Sequence, residues 1–179
     1  MNRDILKVLY DEEQVAAKVS ELGAMISRDY DGKDLLMISV LKGAFVFMAD
    51  LIREITVPLR MDFMMVSSYG PGVKTSGVVK ILKDLDSPVE GRDVLVVEDI
   101  LDSGKTLSYI NTVLRARSPK SIRLVTLLDK PTRRQAEITP DYVGFTIPDE
   151  FVVGYGLDWD EKYRNLPYVG VINPEVCNG

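Results

Sequence analysis

The sequence predicts an α/β fold, a doubly wound and mainly parallel sheet flanked by helices. Short apolar runs such as LLMISV and VLVV have the length and composition of buried parallel strands. Stretches of helical periodicity lie between such runs, so strands and helices alternate along the chain. The 179 residues, of which 46% are apolar, contain no repeat, low-complexity tract or clear linker, which indicates one domain over residues 1–179.

The first predicted helix spans residues 11–28. Asp11 can cap its N-terminus, and Gln14 occupies the capping-box position three residues later. Apolar side chains then recur at helical spacing and form the stripe that would face the core: Val15, Val19, Leu22 and Ile26.

The rest of the chain continues the alternation of strands and helices. A glycine-containing loop and a second helix follow the first strand, and another helix is predicted over residues 106–116. Residues 68–77, SYGPGVKTSG, contain three glycines and a proline and are typical of a loop. The predicted strands are residues 35–40, 59–67, 78–82, 94–97, 121–128, 141–147 and 168–172.

Composition and charge exclude several classes of protein. The net charge of -5 and the pI of about 4.9 argue against a general nucleic-acid binder. The chain has no histidine, which removes Ser-His-Asp and Cys-His nucleophile systems and every zinc site that uses imidazole. A metal would be a hard cation on carboxylates, a description that Mg²⁺ fits. One cysteine, and no evident signal peptide or membrane span, lead us to expect a cytoplasmic protein.

The stretch VLVVEDILDSGKTL, residues 94–107, carries the clearest signal for a ligand site. In a doubly wound sheet, ligands bind beyond the carboxyl ends of the strands, which places the site at Glu98 and onward. The loop Asp102–Thr106 opens a helix, and its N–H groups can hold a phosphate monoester. It is not a Walker A loop, because Asp99 stands where that pattern requires glycine. Since Glu98 and Asp99 can accept hydrogen bonds from ribose hydroxyls, the stretch indicates a ribose 5-phosphate cradle.

This motif, a strand followed by Glu-Asp-x-x-Asp-Ser-Gly-Lys-Thr, resembles the phosphoribosyl pyrophosphate motif of the type I phosphoribosyltransferases. More closely, the chain resembles the hypoxanthine-guanine phosphoribosyltransferases over about residues 35–172. The resemblance implies the type I fold with a small hood formed from terminal segments. It also implies purine salvage, in which the 5-phosphoribosyl group passes from phosphoribosyl pyrophosphate to hypoxanthine or guanine, with Mg²⁺, giving IMP or GMP and pyrophosphate. The other matching segments are VLKGAFVFMADL, VSSYG, LLDKPTRR and IPDEFVVGYGLDWDEKYRNLPYVGVI.

The resemblance assigns roles to the residues of the motif. Glu98 and Asp99 resemble the pair that binds the ribose hydroxyls and magnesium. Asp102 resembles the catalytic residue near N7 of the purine that takes or shares the proton lost in the transfer. A helix N-cap is the structural alternative for Asp102. The resemblance implies that phosphoribosyl pyrophosphate is bound by Glu98, Asp99, Asp102, Ser103, Gly104, Lys105 and Thr106.

The resemblance also implies a purine pocket. Lys130 resembles the lysine that donates to O6 of a 6-oxopurine, which suits an ammonium group with three donors. Phe151 resembles the aromatic that stacks on the purine, and Val152 the residue whose backbone reads the base edge. A solvated lysine and a core aromatic are the structural alternatives. Asp158 belongs to the same purine-binding set and resembles the carboxylate that reaches a second magnesium, while Trp159 stands where tyrosine is commoner in the family.

The remaining site segments resemble the parts that handle pyrophosphate and exclude water. Leu41-Lys42-Gly43 resembles the pyrophosphate-binding loop, and Arg164 the arginine near the pyrophosphate. We carry a cis Leu41-Lys42 peptide as a hypothesis. Ser68-Tyr69-Gly70 resembles the start of a lid that closes over the reacting centre.

The family further implies a homodimer or homotetramer. The acidic charge and the lack of a long apolar stretch lead us to expect no nucleic-acid or membrane partner. Two other functions stay open at this point. One is a phosphoribosyltransferase for another base, such as xanthine or a pyrimidine. The other is a nucleotide-responsive binding protein that has kept the ribose-phosphate site and lost catalysis.

Overall fold

The computed structural model describes residues 3–68 and 79–177, in which strands and helices alternate. The strands are β1 (Ile5–Tyr10), β2 (Leu35–Leu41), β3 (Leu59–Ser68), β4 (Val79–Lys83), β5 (Asp93–Leu101), β6 (Ser121–Asp129), β7 (Tyr142–Thr146), β8 (Val152–Val153) and β9 (Val169–Ile172). The helices are α1 (Glu12–Asp29), α2 (Phe45–Glu54), α3 (Lys105–Arg115) and α4 (Pro174–Cys177), with a 3-10 turn at Pro131–Arg133. No helix within the described ranges is long and apolar enough to cross a membrane.

The central sheet has six strands in the order β4-β3-β2-β5-β6-β7. The five strands from β3 to β7 in that order pair in parallel, and β4 pairs antiparallel with β3 at the edge. The carboxyl ends of β2, β5 and β6 therefore meet at one edge of the sheet, where doubly wound folds bind their ligands.

Successive residues of the central strands enter different cores, because side chains of a strand alternate between the two faces of the sheet. On β2, Leu35 and Met37 pack against the face covered by α1 and α2. Leu36 and Ile38 pack against the opposite face, which α3 covers with Leu107 and its other apolar residues. Helices on both faces confirm the predicted doubly wound α/β architecture and explain why these strands are apolar throughout.

The predicted N-terminus of the first helix is confirmed. The side chain of Asp11 accepts a hydrogen bond from Gln14 N at 2.8 Å, and that of Gln14 accepts one from Asp11 N at 3.0 Å. These reciprocal bonds form the capping box, because they satisfy N–H groups that have no partner within the helix. The helix ends at Asp29, one residue beyond the predicted end.

The hood implied by the family resemblance is a small second sheet. Its strand order is β1-β9-β8, and both pairings are antiparallel. Ile5 of β1 lies opposite Ile172 of β9, so the two ends of the chain pair with one another. The short strand β8 brings Val152 to the same sheet and places residues 151–158 above the carboxyl edge of the central sheet.

Candidate active site

A cavity of about 390 Å³ lies between the carboxyl edge of the central sheet and the hood. Its wall brings together nine of the predicted site residues: Lys42, Gly43, Asp99, Asp102, Lys130, Phe151, Val152, Asp158 and Arg164. Three more residues complete the wall, namely Ile100, Arg133 and Leu157. A larger cavity of about 590 Å³ lies between α1, α2 and residues 164–167, and it shares Arg164 with the first.

The acidic pair Glu98 and Asp99 follows the continuously buried run Asp93–Val97 and lies within β5, which extends to Leu101. Asp99 is buried, and its Oδ1 accepts a hydrogen bond from Ile100 N at 2.8 Å. Burial raises the pKa of both carboxyls, and the charge of Asp99 raises the pKa of Glu98 further. Because a cation would offset the cost of keeping both groups ionised, this donor set fits a hard divalent metal. No cluster of three or more Cys, Asp or Glu side chains able to hold a metal occurs within residues 3–68 and 79–177.

The phosphate loop predicted after β5 opens helix α3. Gly104 is the N-cap residue with φ +77°, and a β-carbon there would come 2.6 Å from Ile138 Cγ2. Both the left-handed conformation and the close approach require glycine. The bond from Ser108 N to Gly104 O, at 2.8 Å, is the first of the helical pattern, so the N–H groups of residues 105–107 have no partner within the helix. Such a helix start can hold a phosphate.

Arg134 holds the phosphate loop in place, although no sequence pattern singled it out. Its Nε donates to Asp102 O at 3.1 Å, and its Nη1 donates to Ile138 O at 2.9 Å. Its Nη2 bonds Leu101 O at 3.3 Å and forms an ion pair with Asp129. One guanidinium therefore joins the ends of β5 and β6 to the segment after the 3-10 turn. Arg134 lies within the matching segment LLDKPTRR, but only its long-range contacts distinguish its role from the roles of its neighbours in that segment.

Asp102 lines the cavity rather than capping the helix. The N-cap is Gly104, without a side-chain cap bond, so the capping alternative is wrong. The Oδ1 atom of Asp102 is buried and has no hydrogen-bond partner among the described residues. Buried polar atoms of this kind are uncommon and mark a group that a ligand can engage.

Lys130 is buried, with 5% of its surface exposed, so the solvated-lysine alternative is wrong. Its Nζ donates to Glu150 O at 2.9 Å and lies 3.9 Å from the Asp149 carboxylate. One backbone carbonyl leaves donor capacity on an ammonium group that has three N–H bonds. The lysine can therefore donate to an acceptor inside the cavity.

Phe151 is not a core residue, because 49% of its surface is exposed. Its ring meets Trp159 edge to face, with 5.1 Å between ring centroids. The neighbouring Val152 is buried in β8 and lines the cavity. An aromatic face held by a second aromatic, next to a backbone segment at the wall, suits the recognition of a planar heterocycle.

The predicted pyrophosphate residues form an ion-pair network. Lys42 Nζ lies 2.9 Å from Glu161 Oε2, and Arg164 Nη2 lies 2.9 Å from Asp158 Oδ1. Arg164 Nη1 also donates to Gly156 O at 2.8 Å, while its Nε is buried without a partner among the described residues. The Leu41-Lys42 peptide is cis.

Some predicted site residues lie beside the cavity rather than on its wall. Leu41 ends β2 and Glu98 lies within β5, each one residue before a residue of the wall. The loop residues Ser103, Gly104, Lys105 and Thr106 continue from Asp102 into α3. The predicted lid residues Tyr69 and Gly70 lie outside the described residues, as does the side chain of Ser68.

An acidic strand end that leads into a helix-opening phosphate loop, on this fold, is the arrangement of a phosphoribosyltransferase. The family model of the phosphoribosyl transferase domain matches residues 6–160. The hypoxanthine-guanine phosphoribosyltransferase of Bacillus subtilis (strain 168) is 59% identical over 176 residues, which cover 98% of each chain. The chain therefore belongs to the hypoxanthine-guanine phosphoribosyltransferase family.

Two further relatives show how far the similarity extends. A crystal structure of a hypoxanthine phosphoribosyltransferase from Staphylococcus aureus is 52% identical, with a TM-score of 0.95 over 98% of this chain and 96% of the other. The bifunctional protein TilS/HprT of Listeria monocytogenes serotype 4b is 56% identical over 98% of this chain. The chain spans only 27% of the length of that bifunctional relative.

Proposed function

We propose that this chain is a purine salvage enzyme that transfers the 5-phosphoribosyl group from phosphoribosyl pyrophosphate to hypoxanthine or guanine. The products are IMP or GMP and pyrophosphate. The observation that carries the proposal is the placement of Asp102 on the wall of the same cavity as Lys130. Asp102 has a buried, unpartnered Oδ1, and Lys130 has a buried ammonium with donor capacity to spare.

The purine is bound on the hood side of the cavity. Lys130 donates a hydrogen bond to O6, the face of Phe151 stacks on the ring, and the backbone of Val152 reads the base edge. Asp102 Oδ1 accepts the proton at N7 as N9 bonds to C1 of the ribose. The amino group of adenine would leave the Lys130 ammonium opposed by another donor, so the site favours 6-oxopurines.

The phosphoribosyl group is bound on the sheet side of the cavity. Residues Ser103, Gly104, Lys105 and Thr106 hold the 5-phosphate at the start of α3, where N–H groups and the helix dipole favour an anion. Glu98 and Asp99 accept hydrogen bonds from the ribose hydroxyls. This arrangement fixes C1 between the purine and the leaving group, and positioning of this kind can supply most of the rate enhancement.

The pyrophosphate leaves toward the loop Leu41-Lys42-Gly43 and Arg164. Glu98 and Asp99 would hold Mg²⁺, with Asp158 reaching a second ion, and bound Mg²⁺ supplies neutralisation of the charge on pyrophosphate. Ser68, Tyr69 and Gly70 begin a lid whose closure excludes water from the reacting centre.

We also propose the domain organisation, assembly, location and partners of the protein. Residues 1–179 form one phosphoribosyltransferase domain, which assembles as a homodimer or homotetramer in the cytoplasm and has no nucleic-acid or membrane partner. Light scattering coupled to size-exclusion chromatography tests the assembly, because a monomer at micromolar concentration would contradict it.

The test of the reaction is a transfer assay with phosphoribosyl pyrophosphate and Mg²⁺. Hypoxanthine, guanine, xanthine and adenine are offered separately, and nucleotide formation is followed. Magnesium-dependent turnover of hypoxanthine or guanine, with adenine inert, is the expected result. Turnover of xanthine alone would change the substrate. No turnover, together with tight binding of phosphoribosyl pyrophosphate, would make the chain a binding protein.

A further inference from the structure

Glu161 lies where an anionic ligand would be expected, between the two cations of the pyrophosphate site. Its Oε2 is 2.9 Å from Lys42 Nζ and 3.5 Å from Arg164 Nη2. Lys42 is 119 residues away in the chain, so the contact depends on the position of the hood above the loop after β2. Neither the sequence motifs nor the proposed reaction assigns a role to this carboxylate.

The backbone around Glu161 holds the carboxylate in this position. Asp160 and Glu161 have φ values of +52° and +60°, which place both residues in a left-handed turn. Trp159 and Lys162 close the turn with hydrogen bonds of 3.2 and 3.0 Å between their backbones. The N–H of Glu161 donates to Asp158 Oδ2 at 2.9 Å. The turn therefore brings the Glu161 carboxylate to the two cations.

We propose that Glu161 is an internal competitor for the pyrophosphate group of the substrate. Its carboxylate neutralises Lys42 and Arg164 in the ligand-free site and is displaced when pyrophosphate or phosphoribosyl pyrophosphate binds. The inference rests on the proposed function, since it assigns those two cations to pyrophosphate.

The contact is suited to reversible displacement. The side chains of Lys42 and Glu161 are 53% and 66% exposed, and ion pairs with this exposure are weak. The bond from Lys42 lowers the pKa of Glu161, so the carboxylate is ionised at neutral pH. Arg164 keeps its bonds to Gly156 and Asp158 when Glu161 leaves, and its buried Nε has a donor to offer. Pyrophosphate therefore replaces the Glu161 carboxylate at a pair of cations that is already in position.

The direction in which pyrophosphate affinity changes when Glu161 is replaced distinguishes a competitor from a supporting residue. Removal of a supporting residue would weaken pyrophosphate binding, whereas removal of a competitor strengthens it. We expect Glu161→Gln to bind pyrophosphate about three- to tenfold more tightly, because it loses an ion pair and a nearby like charge. The KM for phosphoribosyl pyrophosphate should fall with it, and product inhibition by pyrophosphate should become stronger.

Asp160→Asn is the matched control. Asp160 is the adjacent residue of the same turn, it is 72% exposed, and it pairs with Lys162 at 3.0 Å rather than with a cation of the site. The substitution changes the net charge by the same amount. Both variants and the wild type are titrated with inorganic pyrophosphate and Mg²⁺ by calorimetry, and their thermal stability is measured alongside. Glu161→Asn, which tolerates the left-handed turn, is the second variant if Glu161→Gln folds poorly.

Tighter binding by the Glu161 variants, with Asp160→Asn within about twofold of wild type, supports the proposal. Equal strengthening by both substitutions would show a general charge effect and overturn it. Unchanged or weaker binding by the Glu161 variants would overturn it as well. Each of these results applies to a protein whose wild type transfers the phosphoribosyl group. If wild type neither transfers the phosphoribosyl group nor binds pyrophosphate, the proposed function fails first and the inference with it.

Discussion

Gly43 lies directly against the carboxylate of Asp99, so closely that a β-carbon at residue 43 would come 2.0 Å from Asp99 Oδ2. Gly43 follows β2, and Asp99 lies within β5, the parallel neighbour of β2. The loop that we propose handles pyrophosphate and the acid pair that we propose faces ribose and metal are thereby held in one fixed relation. Glycine is needed at residue 43 for space rather than for an unusual backbone angle.

Gly43→Ala should therefore displace the Asp99 carboxylate. We expect kcat/KM for phosphoribosyl pyrophosphate to fall about 10²-fold, since a misplacement near 1 Å can cost that much. The control is Gly91→Ala, because Gly91 has open space around it and a φ of +70°. That control should lose about 1 kcal/mol of stability and keep its activity. Equal activity of the two variants in steady-state assays would contradict the role of the contact.

Asp102→Asn should keep the fold and most substrate binding but lose turnover. The amide matches the carboxylate in size and cannot accept the N7 proton. We expect kcat to fall about 10²- to 10⁴-fold, the usual contribution of a positioned general base. Steady-state kinetics with hypoxanthine measure turnover, and a titration with pyrophosphate measures binding, so the two can be distinguished. Turnover equal to wild type would remove the base role.

Lys130→Met should weaken the preference for 6-oxopurines over adenine. The methionine keeps the apolar stem and removes the donors, so we expect the KM for hypoxanthine to rise about tenfold or more. Lys7→Met is the control, because the half-exposed Lys7 contacts the same partner residue, Glu150, at its carboxylate with a distance of 2.6 Å. The ratio of kcat/KM for hypoxanthine to that for adenine is the measurement. A ratio unchanged by Lys130→Met would exclude the O6 assignment.

Arg134→Lys should loosen the phosphate loop while keeping the charge. A lysine cannot reproduce the planar set of donors that engages Asp102, Ile138 and Leu101 together. We expect the KM for phosphoribosyl pyrophosphate to rise about tenfold, with a smaller change for hypoxanthine. Arg115→Lys, at the exposed far end of α3, is the control. Equal rises in both KM values would indicate general destabilisation instead of loop positioning.

Asp84→Asn should lower stability in a pH-dependent way. Two hydrogen bonds from Arg117, at 2.8 and 2.7 Å, lower the pKa of Asp84 below its ordinary value. A lowered carboxyl pKa contributes stability above the unfolded-state pKa, and that contribution is lost as the pH falls through the folded-state pKa. We expect a loss below about 1 kcal/mol at pH 7, since the pair is partly exposed.

Thermal melts of wild type and Asp84→Asn across the acid range provide the check. The difference in Tm should be largest at neutral pH and should shrink below about pH 4. Asp86→Asn is the control, because Asp86 is 81% exposed and pairs with the nearby Lys83 rather than with Arg117. A difference in Tm that persists unchanged at acid pH would point to lost packing rather than to the ion pair.

Local patterns in the sequence were enough to predict the first helix and the phosphate loop. The capping box of α1 involves residues three apart, and the loop Asp102–Thr106 follows a strand that contains the apolar run VLVV. Each signal lies within a few residues, where spacing alone dictates which groups can meet. The same local spacing could not reveal β1, because Ile5–Tyr10 is a strand only through pairing with β9 at the other end of the chain.

The sequence by itself determined the alternation of strands and helices, the acid pair that follows the apolar run VLVV and the helix-opening loop beside it. Tertiary structure decided which distant groups share the site. It buried Lys130, set Gly43 against Asp99, gave Arg134 its four acceptors and placed Glu161 on Lys42. These contacts follow from the order of strands in the sheet and the position of the hood above it. Many strand orders are compatible with one local pattern, and only the packed chain selects among them.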